Sequence, residues 1–207
     1  MATIFRDWSY RYQWLYDAIS RIAAFSVGGT TNFRQLALQN LTLTSDSKIL
    51  DLCCGSGQTT EFLVKFSQNV IGLDASPLSL KRAQRNVPLA TYVQAFAEKI
   101  PFADGQFDLV HISVALHEME HDQLHQIMQE VYRVLKKGGV FAVVDFHKPT
   151  NMIFKAGLWL FFWLFETKTA QEFLKIDLPS LLTEYGFTVS QPSLYAGSSL
   201  QMIQVRK

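Results

Sequence analysis

A chain of 207 residues is long enough for one well-formed core, and its net charge of +1 with 18% charged residues leaves no phosphate-tracking groove, which argues against nucleic acid as a partner. The two cysteines, Cys53 and Cys54, are adjacent, which argues against a disulfide framework. Arg6, Asp7 and Arg11 interrupt the N-terminus where a signal peptide needs an apolar run, so a reducing, cytoplasmic location is the expectation.

In chain order, residues 5–25 read as an amphipathic helix with Trp8, Tyr12, Leu15, Ile19 and Ile22 near one face. It serves either as packing against the main domain or as an aromatic-lined lid over a substrate. Gly28-Gly29 breaks it, and residues 33–41 predict a second short helix. Residues 48–74 carry the organising pattern. Ile49, Leu50 and Leu52 predict a buried parallel strand ending at Asp51 and the Gly55-Ser56-Gly57 turn, a helix follows over 59–66, and a second strand over 69–73 ends in Asp74. Such a loop lets backbone approach a ligand at a helix N-terminus, and an acid in that place accepts ribose hydroxyls. This much points to an adenosine-bearing cofactor.

Ser76 and Pro77 predict a capped helix start running to about Val87, and 91–95 a third strand. Residues 107–113 predict a fourth strand. A helix over 122–135 ends at Gly138-Gly139, and a fifth strand covers 140–146. The run 152–165 is apolar except for Lys155. At fourteen residues it spans only about 21 Å as a helix, too short to cross a bilayer, which leaves a buried helix, an interfacial helix or a pocket wall. A helix over 177–185 precedes two strands, 187–191 and 200–205, expected as an antiparallel pair at the sheet edge with 192–199 as the loop between them. The alternation predicts a doubly wound α/β sheet. One domain is expected, with residues 5–45 as a helical lid and 150–185 as a helical substrate-pocket insertion.

These motifs resemble those of class I S-adenosylmethionine-dependent methyltransferases. Residues 51–57 are similar to the family's D-x-G-x-G-x-G loop, Asp74 to the acid closing the second strand, residues 100–108 to its L-P-F-x-x-x-x-F-D segment, and residues 135–139 to its L-K-P-G-G turn. The resemblance implies a Rossmann-like seven-stranded mixed sheet with helices on both faces and an antiparallel last strand. It also implies S-adenosyl-L-methionine as cofactor, and it decides against a dehydrogenase; Thr60, where a G-x-G-x-x-G pattern would need glycine, is consistent with that. Asp51, Gly55 and Gly57 would meet the methionine half and Asp74 the ribose. Ala75 and Phe96 would flank the adenine, and the Ala97 backbone would replace the Asp that many relatives place there. Cys53 stands where the family usually has Gly, from which we expect a backbone that does not demand positive φ.

Narrower matches at 16–19, 32–34 and 145–149 resemble menaquinone- and ubiquinone-type methyltransferases. They imply a small, apolar or prenylated acceptor such as a quinone, with a phenol, lipid or acid, or a non-catalytic adaptor at a membrane surface, as alternatives. The proton acceptor is expected after the fourth or fifth strand, at His117 first and His147 second. His111 reads as a satisfied core residue, and Asp108 carries no chemistry. His117, Glu118, His121 and His125 have the residue types of a metal site but neither a thiol partner nor an outer hydrogen bond to orient them, so no metal is assigned.

Overall fold

The computed structural model describes residues 24, 27–152, 154–156, 158–159 and 168–207. The expected aromatic helix at 5–25, Ala24 apart, and residues 153, 157 and 160–165 of the apolar run lie outside the described residues. The elements are α1 (Thr30–Gln35) with a 3-10 turn at Leu36–Leu38, β1 (Lys48–Leu52), α2 (Thr60–Leu63), β2 (Asn69–Asp74), α3 (Pro77–Asn86), β3 (Thr91–Gln94), β4 (Phe107–Ser113), α4 (His121–Val134), β5 (Leu135–Phe146), α5 (Lys168–Phe173), α6 (Leu178–Glu184), β6 (Thr188–Val189), β7 (Ser193–Tyr195) and β8 (Leu200–Arg206).

The sheet order is β3-β2-β1-β4-β5-β8-β6, with β7 also on β8. Strands β1 to β5 pair in parallel, and β8 runs antiparallel to β5. Both β6 and β7 lie antiparallel on the outer edge of β8, where Thr188 faces Arg206 and Ser193 faces Met202, a one-residue slip across Ser190–Pro192. Pro192 has no N–H to give a ladder, and an edge tolerates it. The expected seven-stranded sheet is therefore present with its outermost strand broken in two, and β7 occupies part of what the sequence suggested was loop.

Strand residues alternate between two cores. Leu50, Leu52, Val110, Ile112, Phe141 and Val143 pack with Leu124, Ile127, Met128 and Val131 of α4. Ile49, Leu109, Ala142 and Val144 face the other way, onto Phe33, Leu36 and Leu38. Burial on both faces is what makes the parallel strands read as continuous apolar runs. Ser76 caps α3, its Oγ accepting the Ser79 N–H at 3.2 Å. Gln123 Oε1 accepts the Glu120 N–H at 3.0 Å and starts α4 one residue earlier than expected.

The expected helix end at Gly138-Gly139 is corrected. Helix α4 stops at Val134 and β5 begins at once, because Leu135 pairs with Phe107 and Lys136 Nζ reaches both oxygens of Asp108 at 2.7 and 2.8 Å. Burial alone would raise the Asp108 carboxyl, but Lys136 and the Lys48 N–H hold it below the usual carboxylate range. Arg133 explains the 100–108 motif. Its guanidinium donates to the carbonyls of Ile100 and Phe102 and to Asp104 at 2.7–2.9 Å, while Glu130 accepts the Ile100 N–H at 2.7 Å. That segment is a loop stapled to α4.

Candidate active site

In the order 3-2-1-4-5 the chain reverses direction between β1 and β4, and the crevice at their carboxyl ends is where an open α/β sheet takes its ligand. The loop leaving β1 is tight. Cys54 N–H donates to the Leu73 carbonyl at 3.0 Å, Gly57 N–H to the Cys54 carbonyl at 3.0 Å, and Gly55 N–H to Asp74 Oδ2 at 2.9 Å. Asp74 Oδ1 accepts the Ser76 N–H at 2.8 Å. Each oxygen of this half-buried carboxylate thus holds one backbone N–H and keeps lone-pair capacity for a pair of vicinal hydroxyls.

Gly55 (φ +55°) and Gly57 (φ +86°) both occupy the left-handed region, but for different reasons. A Cβ on Gly57 would lie 3.3 Å from Val87 Cγ2 and 3.4 Å from Ala83 Cβ, so Gly57 lets α3 approach. A Cβ on Gly55 would meet nothing nearer than Gln58 Oε1 at 3.7 Å. Gly57→Ala is accordingly expected to cost about 2 kcal/mol or more, and Gly55→Ala about 1 kcal/mol. Cofactor affinity should suffer more in the Gly55 variant than its stability does. Thermal unfolding and cofactor titration of both variants check this, and equal stability losses would refute the division.

Cys53 corrects an expectation. Its φ is +56°, the left-handed conformation usual for Gly, which costs a side-chain-bearing residue about 1–2 kcal/mol. Val114, directly after β4, has φ +54° with its N–H on the Val144 carbonyl at 2.7 Å. For a β-branched residue this is an outlier, so two strained residues stand at the neighbouring ends of β1 and β4. Residue type alone did not reveal either.

Burial first, and then the carboxylates of Asp74, Glu118, Glu98 and Asp51, push the Cys53 thiol up, so it is a neutral thiol at neutral pH and not a nucleophile. Cys54 is held up in the same way by burial, Asp51 and Asp74. The acids Asp74, Glu98 and Glu118 near Cys53 make the crevice hospitable to a cation. A sulfonium with an ammonium group fits this donor set, and the pyrophosphate of a dinucleotide does not.

Asp51 does not open to the crevice in this structure. It is 2% exposed, with Oδ1 accepting from His111 Nδ1 at 2.8 Å and Oδ2 from Thr60 Oγ1 at 2.6 Å. His111 is buried as expected but not fully satisfied, since its Nε2 has no partner among the described residues. Phe96 is 68% exposed at the rim, Ala75 is exposed and accepts from Gln94 Nε2, and Ala97 is buried beside them. Glu98 is half-buried and accepts from Gln123 rather than facing solvent alone.

The two catalytic candidates fare differently. His117 is 1% exposed, its Nδ1–H on Asp145 Oδ1 at 2.7 Å and its ring edge-on to Phe146. Here it props the corner after β4. Asp145, which the sequence offered only as part of a short motif, is 0% exposed and also accepts the N–H groups of Ala115, Leu116 and Phe146 at 3.1, 2.8 and 2.7 Å. His147 is half-buried and lines a cavity of about 400 Å³ with Pro149, Ile176, Leu178, Pro192 and Gln201. Its Nδ1–H donates to the Ser198 carbonyl at 2.8 Å, which leaves Nε2 with the lone pair.

Residues 49–139 match the model of a methyltransferase domain family. An uncharacterised methyltransferase of Synechocystis sp. is 56% identical over 206 residues, covering 100% of this chain and 97% of that protein. The chain belongs to the class I S-adenosylmethionine-dependent methyltransferases, and S-adenosylmethionine is its cofactor. Within that class, the demethylmenaquinone methyltransferase of Desulfitobacterium hafniense is 33% identical over 156 residues, 71% of this chain but only 60% of the relative. The crystal structure of an S-adenosylmethionine-dependent methyltransferase from Aquifex aeolicus superposes with a TM-score of 0.66 at 17% identity, covering 90% of this chain and 96% of that one, and supports the fold.

Proposed function

We propose that this enzyme methylates a small, largely apolar ring acceptor of the prenylated hydroquinone type, in the pocket beside His147. The observation that carries the reading is the roughly 400 Å³ cavity at the end of β5, walled by three prolines and by Leu174, Ile176 and Leu178, with His147 in its lining and Lys148, Thr150, Lys175, Asp177 and Gln201 as its polar part. Similarity to demethylmenaquinone methyltransferases favours a quinol over a phenol, lipid or acid, although the chain spans only about three fifths of those proteins. No helix among the described residues is long and apolar enough to cross a membrane, and Met152 and Trp159 are 75% and 66% exposed.

When bound, S-adenosylmethionine supplies a methyl group on a sulfonium, activated for in-line displacement. The chain's own part is positional. Asp74 takes the ribose hydroxyls, Gly55 and Gly57 admit the methionine half, and the Phe96–Ala97 rim flanks the adenine. Asp145 fixes the corner after β4 by holding Ala115, Leu116 and His117, which keeps the crevice wall in place. His147 Nε2 takes the proton that the acceptor loses as its new bond to methyl forms, and the Ser198 carbonyl stabilises the resulting imidazolium through Nδ1–H.

The test is turnover of isotopically labelled cofactor with a panel of prenylated naphthoquinols, phenols and fatty acids. The quinols are expected to turn over at least tenfold faster than the rest. His147→Gln should lower kcat by about 10²–10⁴-fold with cofactor affinity unchanged. Preference for another acceptor overturns the substrate assignment, and an unchanged kcat in the variant overturns the base.

A further inference from the structure

We propose that His121 and His125 form a surface site for a divalent transition-metal ion at the start of α4, apart from the methyl-transfer crevice. The two residues are one turn apart on the same helix face, and their Nε2 atoms stand 3.4 Å from each other. That separation is long for a hydrogen bond between two nitrogens, and the ring planes are tilted by 46°. It equals the spacing, about 3.3–3.4 Å, of two nitrogens bound at about 2.0–2.1 Å to one tetrahedral zinc ion.

The hydrogen bond that the sequence could not supply is contributed by Tyr185, at the end of α6 and sixty positions away in the chain. Its hydroxyl lies 2.8 Å from His125 Nδ1. When Nδ1–H donates to this hydroxyl, Nε2 carries the lone pair and points toward its partner, the arrangement by which proteins orient a metal-binding imidazole. His121 is 74% exposed, with Asp122 at 3.8 Å from its Nδ1, so an ion reaches the pair from solvent and meets a negative charge beside it. Among the described residues no group of three or more His, Cys, Asp and Glu converges as a metal site, so two imidazoles and water complete the coordination. Such a donor set selects zinc, copper or nickel over magnesium and calcium. The ion would clamp the first turn of α4, whose Gln123 also holds Glu98 at the crevice rim.

The experiment is calorimetric titration of the untagged full-length protein with zinc chloride. One saturable equivalent is expected for the wild type, unaffected by excess magnesium. The double variant His121→Gln/His125→Gln should lose it while binding S-adenosylmethionine as the wild type does, which shows that the variant is folded. Tyr185→Phe should weaken zinc binding by about tenfold. No saturable binding by the wild type, or equal binding by the double variant, overturns the site; unchanged binding in Tyr185→Phe overturns the role given to the tyrosine.

Discussion

Asp74→Ala is expected to weaken S-adenosylmethionine binding by about 10²–10³-fold. A carboxylate accepting two ribose hydroxyls makes two charge-assisted hydrogen bonds, each worth about 1.5–3 kcal/mol when its partner is otherwise desolvated. Asp74 also holds Gly55 and Ser76 by their N–H groups, so its loss loosens the loop that receives the methionine half. Asp74→Asn keeps one acceptor oxygen and should fall between the wild type and the alanine variant. Calorimetric titration of the three proteins decides the matter. An alanine variant within threefold of the wild type would remove Asp74 from the ribose.

The second large effect concerns stability. Asp145→Ala is expected to cost about 3–5 kcal/mol, lowering Tm by about 10 °C or more. Asp145 is completely buried, and removing it strands the N–H groups of Ala115, Leu116 and Phe146 and the Nδ1–H of His117. The loss is set by these deserted donors more than by the charge itself. His117→Asn alone should cost less, because the three backbone bonds survive. The double variant should show a coupling of at least about 1 kcal/mol with Asp145. Thermal and denaturant unfolding measure all three proteins; an Asp145→Ala loss below about 1 kcal/mol would mean that the corner after β4 does not depend on this carboxylate.

The legible parts of the molecule were those with local causes. The parallel strands announced themselves because burial on both faces leaves no polar alternation, as in Phe141–Val144. The start of α3 was readable because Ser76 and Pro77 act within one turn. The glycine loop and Asp74 are close in sequence to the elements they join, and the cofactor followed from them and from the family resemblance. Misreadings arose where a distant partner outweighed local chemistry. Gly138-Gly139 looked like a helix stop, but pairing of Leu135 with Phe107 and of Lys136 with Asp108 turned the segment into strand. Cys53 looked incompatible with a left-handed backbone, yet the bond from Cys54 N–H to Leu73 holds the chain there.

The site divides in the same way. The sequence by itself determined the sheet, the cofactor class and the acid at the end of β2, because hydrophobic period, turn chemistry and short motifs act over a few residues. Only the tertiary structure decided which histidine faces a cavity and which is buried. It also decided that Asp51 is buried against His111 and Thr60, that Asp145 supports the corner after β4, and that Tyr185 stands behind His125. Each of these last facts is a hydrogen bond or an exposure set by residues that meet only when the strands and helices pack, and a residue's type does not carry its distance to a partner sixty positions away.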